Sequence, residues 1–137
     1  MNQFSYKNYF TMPNEIFSLG LDASEIAVYA YLRCLESRST YQCWPSYTTI
    51  DNAVGCAKNT VMRYVDALAE KGLISTEPTS VLMKSGIKKN GNLRYTLRPI
   101  REAVDLFHDR QMATVERAAE RQQIQRKLSA MDLLPGA

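Results

Sequence analysis

Apolar residues along the chain fall into helical and alternating runs that mark out short elements. Leu21-Asp22-Ala23-Ser24-Glu25 opens the first long helix, because Asp22 can cap it and Glu25, three residues on, can complete a capping box. Ile26 to Leu32 is then apolar on every side, and a helix without a polar face is normally a buried one, so this helix is expected to form the core. Ahead of it, Phe10 to Phe17 predicts an arm and a short helix. Ser37 to Thr40 reads as a loop. Ser46 is the expected N-cap of a second helix running to about Val54, with Trp44 packing over its start and Gly55 ending it. After a two-residue turn a third helix spans about Ala57 to Lys71. In it Val61, Val65 and Leu68 recur at i, i+4 and i+7 as one buried stripe, and Gly72 supplies the stop.

Leu73 to Glu77 and Leu93 to Leu97 are β-prone runs separated by a segment rich in Lys, Gly and Asn, which predicts a hairpin with a long tip. Pro99 suits the first turn of a helix, and from Ile100 to about Met131 neither Gly nor Pro interrupts. Ile100, Val104, Phe107, Val115 and Ala118 keep helical spacing. The run Glu120-Arg121-Gln122-Gln123 breaks that stripe before Ile124, Leu128 and Met131 resume it on a shifted face, which leaves open whether one helix runs throughout. The polar start, Met1 to Asn8, and the Pro135-Gly136-Ala137 end, expected to fray, complete the chain.

Helix, helix-turn-helix and basic hairpin follow in winged-helix order. The fold class expected is mainly α with a small β-hairpin: a winged helix-turn-helix DNA-binding domain over residues 1–98, then a C-terminal helix over 99–137. A length of 137 residues fits one domain plus an appendage, since domains commonly run to about 100–150 residues. The most apolar stretch, Ile26 to Leu32, falls far short of the roughly 20 residues that span a bilayer, so no membrane partner and a cytoplasmic location are expected. Cys34, Cys43 and Cys56 match no zinc spacing and only His108 could complete a site, so no metal or other cofactor is expected. Small, mostly buried thiols are. With a single His there is no Ser-His-Asp, zincin or paired-carboxylate pattern, and the chain is not expected to be an enzyme; His108 beside Phe107 reads as a packing or surface residue. The glycines of Gly86-Ile-Lys-Lys-Asn-Gly91 have phosphate-loop spacing, but Asn92-Leu93 follows where Lys-Ser/Thr is required. No small-molecule ligand is indicated.

Charge changes the picture. The formal net charge of +3 hides a polarised chain: residues 57–101 carry nine Lys/Arg against three acids, and no acid occurs from Pro78 to Arg101, while both flanks are acidic. Phosphate is the matching partner, and double-stranded DNA its natural source. A recognition helix presents donors to base edges from its first turns, which here hold Lys58, Asn59, Thr60, Met62 and Arg63. Arg63 can pair with guanine O6/N7, Asn59 with adenine N6/N7, and Met62 can pack on a thymine methyl. The bland alternative is an ordinary solvated helix face. In the hairpin, Lys84, Lys88, Lys89, Arg94 and Arg98 are expected at phosphates or in the minor groove, the alternative being a basic loop that only aids solubility. Ser46, Tyr47 and Tyr64 are weaker phosphate candidates, with core or rim packing the alternative for the tyrosines. On the C-terminal helix, Val104, Phe107, Val115 and Ala118 either pack back on the domain or pair with a second copy, giving a homodimer.

These residues also carry a resemblance. Pro45-Ser46 through Ile50, Gly55, Lys58-Asn59-Thr60-Val61, Leu68 and Lys71-Gly72-Leu73-Ile74 resemble the winged helix-turn-helix of bacterial transcription regulators and of plasmid and phage replication initiators. The opening Phe10 to Phe17, with the apolar run after Leu21-Asp22-Ala23-Ser24, is similar to the start of the replication-initiator A type N-terminal domain of mobile elements. The similarity covers roughly residues 10 to 98 and implies sequence-specific DNA binding in transcription or replication. Two positions depart from the family pattern: Ala57 stands where Ser usually caps the third helix, and Asp51 where a small residue is usual. The rival class is a winged helix used only for protein contacts, docking through the C-terminal helix.

Overall fold

Asp22 and Glu25 close the expected capping box and set the start of helix α1 (Ala23–Leu35): the Asp22 carboxylate accepts the Glu25 N–H at 2.7 Å and the Glu25 carboxylate accepts the Asp22 N–H at 3.0 Å. The structure, a computed structural model, describes residues 8–132; the polar start as far as residue 7 and the Pro135-Gly136-Ala137 end lie outside them. Helix α2 (Tyr47–Val54) starts at Ser46, whose hydroxyl accepts the Thr49 N–H at 3.1 Å, and closes at Gly55 in the left-handed region. Helix α3 (Lys58–Glu70) begins at Ala57, where no side chain caps it. Its end is a Schellman motif. The Gly72 N–H donates to Ala69 at 3.1 Å and the Leu73 N–H reaches back to Leu68 at 3.1 Å, with Gly72 at φ 82°, a conformation that an L side chain resists.

Strands β1 (Gln42–Cys43), β2 (Ile74–Glu77) and β5 (Arg94–Leu97) form an antiparallel sheet in the order β1-β5-β2, with Ile74 opposite Leu97 and Glu77 opposite Arg94. The expected hairpin is therefore present, and β1 adds an edge strand to it. The long tip is itself ordered as β3 (Ser80–Leu82) and β4 (Lys88–Asn90), a separate two-stranded hairpin paired only with itself. Where it leaves the main sheet the chains cross closely: the Gly91 N–H donates to Thr79 at 2.8 Å, the Thr79 hydroxyl donates to the Asn92 carbonyl, and a Cβ at Gly91 would lie 2.6 Å from Thr79 Oγ1. A side chain at Gly91 would force the Thr79 hydroxyl to move off the Asn92 carbonyl.

The core draws Val28, Tyr29 and Leu32 from α1, Ile50 from α2, Val61, Val65 and Leu68 from α3, and Leu73, Ile74, Tyr95 and Leu97 from the sheet segment. Ile16, in the short 3-10 helix Asn14–Ser18, joins them, and the arm before it is tied down by Arg33, which donates twice to the Thr11 carbonyl at 2.9 and 3.1 Å. Fully burying each such aliphatic side chain stabilises by about 1.5–3 kcal/mol. Three expectations need correcting. Helix α1 is not buried all round, because one helix of a small domain is covered only on the side its neighbours reach; Ile26, Ala27, Ala30 and Tyr31 are half-buried. Trp44 is 49% exposed, so it is not the packed residue expected beside the start of α2, whereas its neighbour Pro45 is buried. Among the thiols only Cys43 is buried, with its pKa pushed up to about 12 by burial and then by the Glu36 carboxylate; Cys34 is exposed and Cys56 half-buried.

One interaction that joins distant segments fixes the relation of α1 to α3. Lys71, the C-cap of α3, donates to both carboxylate oxygens of Glu25 at 2.9 and 3.0 Å and to the Gly20 carbonyl at 3.3 Å, and the Glu25 side chain is almost fully buried. Helix α4 (Ile100–Asp132) runs unbroken, so the shift of its apolar stripe does not interrupt the backbone. By compactness the chain divides between Val104 and Asp105. In the second unit the described residues are exposed apart from Leu106, Phe107 and Ala113, which are half-buried.

Breaking a buried charge pair from one side leaves an unmatched carboxylate. Lys71→Met is expected to cost about 2–3 kcal/mol by urea unfolding, and the double variant Glu25→Gln/Lys71→Met should recover part of it. A loss within about 0.5 kcal/mol would class the pair with ordinary surface salt bridges.

Candidate nucleic-acid interface

Burial of Val61, Val65 and Leu68 turns the opposite side of α3 outward. Lys58, Asn59, Met62 and Arg63 are exposed over its first two turns, while Thr60 is half-buried beside the stripe. The Arg63 guanidinium lies over the ring of its neighbour Tyr64, 5.7 Å from the centroid, which steadies a long flexible side chain. Tyr64 itself is half-buried. The first-turn N–H groups of α3 have no side-chain acceptor, since Ala57 contributes only its carbonyl, which accepts from Thr60 and Val61 at 2.9 Å.

Apart from Arg101, at the start of α4, the cations of residues 57–101 divide into two groups. Lys71 is committed to Glu25, Arg94 to Glu77 across the β2–β5 pair, and Arg98 to Glu102 one turn into α4 at 2.8 and 3.0 Å. Arg94 and Arg98 therefore belong to the main sheet and its exit, not to the tip where the charge pattern placed them with the lysines. The Arg98–Glu102 hydrogen bond raises the pKa of the guanidinium and lowers that of the carboxyl, keeping both charged. Lys58, Arg63, Lys84, Lys88 and Lys89 make no ion pair among the described residues, and all five are exposed. The uncompensated positive charge thus sits on the start of α3 and on the β3–β4 hairpin.

Ser46 and Tyr47 stand at the foot of that hairpin, lining with Asn92 and Tyr95 a cavity of about 170 Å³. The Ser46 hydroxyl is occupied as the α2 cap and by Thr49 Oγ1 at 2.8 Å. Burial, then the nearby Asp66 carboxylate, raises the Tyr47 pKa, so its hydroxyl stays a donor. Asn92 fixes the base of the wing by donating to the Trp44 carbonyl at 3.2 Å. The tip also carries apolar side chains that the charge pattern does not point to: Val81, Leu82, Met83 and Ile87 are all exposed. Their signal in the sequence is an aliphatic run inside a segment otherwise read as basic loop. On α4, Val104 and Phe107 are half-buried, and Val115 and Ala118 exposed.

Giving α3 the missing cap tests how much its start is left unsatisfied. Ala57 has the extended backbone of an N-cap, φ −72° and ψ 152°, so Ala57→Ser is expected to raise unfolding stability by about 1 kcal/mol. No change in the denaturation midpoint would mean that those N–H groups are already fully satisfied by water.

Residues 19–74 match the family model of a helix-turn-helix domain. No match is found among curated proteins. Among solved structures, one described as a possible transcriptional regulator from Methanosarcina mazei Go1 is similar at a TM-score of 0.50 and 12% identity, covering 85% of this chain and 96% of that one. A MarR-family transcriptional regulator from Silicibacter pomeroyi aligns at a TM-score of 0.40 and 20% identity, over 89% of this chain and 79% of its own. BpsR of Bordetella bronchiseptica, whose DNA binding is regulated by 6-hydroxynicotinic acid, aligns at 0.40 and 20%, over 87% and 80%. Helix-turn-helix, antiparallel wing and following helix make this a winged-helix fold, within which residues 19–74 are the stretch similar to a helix-turn-helix domain.

Proposed function

We propose that this chain is a sequence-specific double-stranded DNA-binding regulator that controls transcription or replication of a mobile element. The observation that carries the reading is the orientation of α3: its buried stripe leaves Lys58, Asn59, Met62 and Arg63 exposed over the first turns, in the same compact unit as a wing without acids. In this reading α3 enters the major groove, Arg63 and Asn59 read base edges, Met62 meets a thymine methyl, and Thr60 supports the first turn. Lys84, Lys88 and Lys89 hold phosphates beside the groove. Arg94 and Arg98, already paired, and Ser46, Tyr47 and Tyr64 contribute at the rim. The helix-turn-helix match supports DNA reading, and the mobile-element role rests on the sequence resemblance of residues 10 to 98 to initiator N-terminal domains alone.

Enrichment from a random duplex pool across a salt series tests this. With the four unpaired lysines, Lys58, Lys84, Lys88 and Lys89, at phosphates, the log–log salt slope should approach about −3 to −4, and Lys88→Glu/Lys89→Glu should make it shallower by about 2. Asn59→Ala or Arg63→Ala should each cost about 1–3 kcal/mol on the enriched site and almost nothing on scrambled DNA. Absence of binding at low salt would favour the protein-contact class.

The second unit supports a homodimer. Met112, Val115, Ile124, Leu128 and Met131 each leave more than half of their area exposed on α4, and pairing with a second copy, with Val104, Phe107 and Ala118 along the same helix, would cover apolar surface and set two α3 helices on a near-palindromic site. Sedimentation should give a dimer that Val115→Asp converts to monomer; a wild-type monomer at high concentration removes this arrangement.

A further inference from the structure

Strands β3 and β4 pair Leu82 with Lys88 and Val81 with Lys89, and the three-residue loop Lys84-Ser85-Gly86 is closed by the Met83 N–H donating to Ile87 at 2.9 Å and the Gly86 N–H to Met83 at 2.9 Å. Alternation along paired strands puts Val81, Met83 and Ile87 on one face and Leu82 on the other. These side chains are 55%, 46%, 67% and 68% exposed in that order. A free hairpin tip normally carries polar residues, because unpartnered aliphatic groups in water invite association. Here the aliphatics are interleaved with Lys84, Lys88 and Lys89 in a stretch with no acid from Pro78 to Arg101. An apolar tip collared by unpaired cations fits an apolar surface enclosed by anions, and a stacked base step beneath its phosphates is one.

We propose that Met83 and Ile87, backed by Val81 on the same face, form a wedge that enters the DNA minor groove next to the α3 site, partly unstacks a base step and bends the duplex. This rests on the DNA-binding reading above and adds to it a deformation and a source of sequence preference. The dimensions force the deformation: paired strands lie about 4.8 Å apart before side chains are added, against a groove about 6 Å wide, so the tip enters only where the groove opens. Aliphatic side chains inserted between steps kink DNA by about 20–90°, and pyrimidine–purine steps, above all TA, unstack at least cost. The lysines hold the flanking phosphates. The base of the hairpin is held against the body by the Thr79–Gly91 crossing and by Asn92 on the Trp44 carbonyl, so the load of insertion passes to the sheet. Sequence preference then arises at positions where no donor or acceptor of the protein reads a base.

The test uses the full chain on its enriched duplex, with 2-aminopurine placed at successive steps beside the α3 footprint and a dye at each end. Wild type should raise 2-aminopurine fluorescence several-fold at one step, shorten the end-to-end distance, and prefer TA over GC there by about tenfold. Met83→Thr/Ile87→Thr keeps strand propensity and every lysine; it should retain the salt slope and the α3-dependent preference while losing the fluorescence rise, the bend and the TA preference. Circular dichroism melting unchanged from wild type establishes that the variant folds. Specific binding to a straight duplex with no fluorescence change, or a bend that persists in the variant, overturns the wedge and leaves the DNA-binding reading standing. Capture of wild type by phosphatidylglycerol vesicles but not by any duplex overturns both, and assigns the tip to an anionic lipid surface.

Discussion

Everything the candidate interface can do depends on the burial of one stripe, Val61, Val65 and Leu68. These three are essentially without solvent contact, so α3 cannot rotate about its axis without exposing aliphatic surface at a cost of several kcal/mol. That constraint, not any polar contact, fixes which side chains face outward. The same logic reaches the ends of the helix. Its C-terminus is closed by Gly72, by the Leu73 N–H on Leu68 and by Lys71 on the buried Glu25, which ties it to the first turn of α1. Its N-terminus, at Ala57, has no comparable tie. The helix is thus firmly held where it enters the core and lightly held where it presents Lys58 to Arg63.

Charge is arranged by the same division. Glu25, Glu77 and Glu102 each take one cation out of the basic segment and use it to fasten the body: Lys71 at α1, Arg94 across β2–β5, Arg98 at the start of α4. What remains unpaired sits on the exposed start of α3 and on the wing. A net charge read from sequence overstates the phosphate-facing charge, because three of the nine local cations are held in these structural pairs. Exposed pairs of the Arg98–Glu102 kind add little stability. Their effect is on where positive potential is left over.

Much of this was legible because it is local. The Asp22/Glu25 capping box, the Ser46 cap, the Gly55 and Gly72 stops and the α3 stripe depend on residues within one or two turns of each other, and each stands where spacing put it. What could not be read depends on residues far apart. Gln42-Cys43 is too short and too polar to announce a strand, and becomes one only by pairing with Tyr95 and Thr96. Lys71 looks like part of a basic face until Glu25, 46 residues earlier, is folded against it. The Glu77–Arg94 pair was within reach, since a hairpin from Leu73–Glu77 to Leu93–Leu97 already places them opposite. Trp44 shows the limit of side-chain inference from a cap position: it stays exposed while its neighbour Pro45 is buried. On α4 the shifted apolar stripe left continuity open, and only backbone propensity without Gly or Pro decided it.

The separation of β3–β4 from the main sheet bears on how such a protein can change over generations. Apart from Asn92 on the Trp44 carbonyl, the hydrogen bonds of the hairpin close within residues 79–92, every residue from Ser80 to Asn90 is exposed, and no core side chain lies among them. Apart from Gly86, whose φ of 82° disfavours an L side chain, substitutions there fall in the class that shifts folding free energy by about 0.5 kcal/mol or less. Selection acting on the tip therefore meets almost no penalty from the rest of the fold, so long as Thr79 and Gly91 keep the crossing at its base. The body conserves its stability while the wing is free to drift toward a new target, which makes this the segment where closely related chains should differ most.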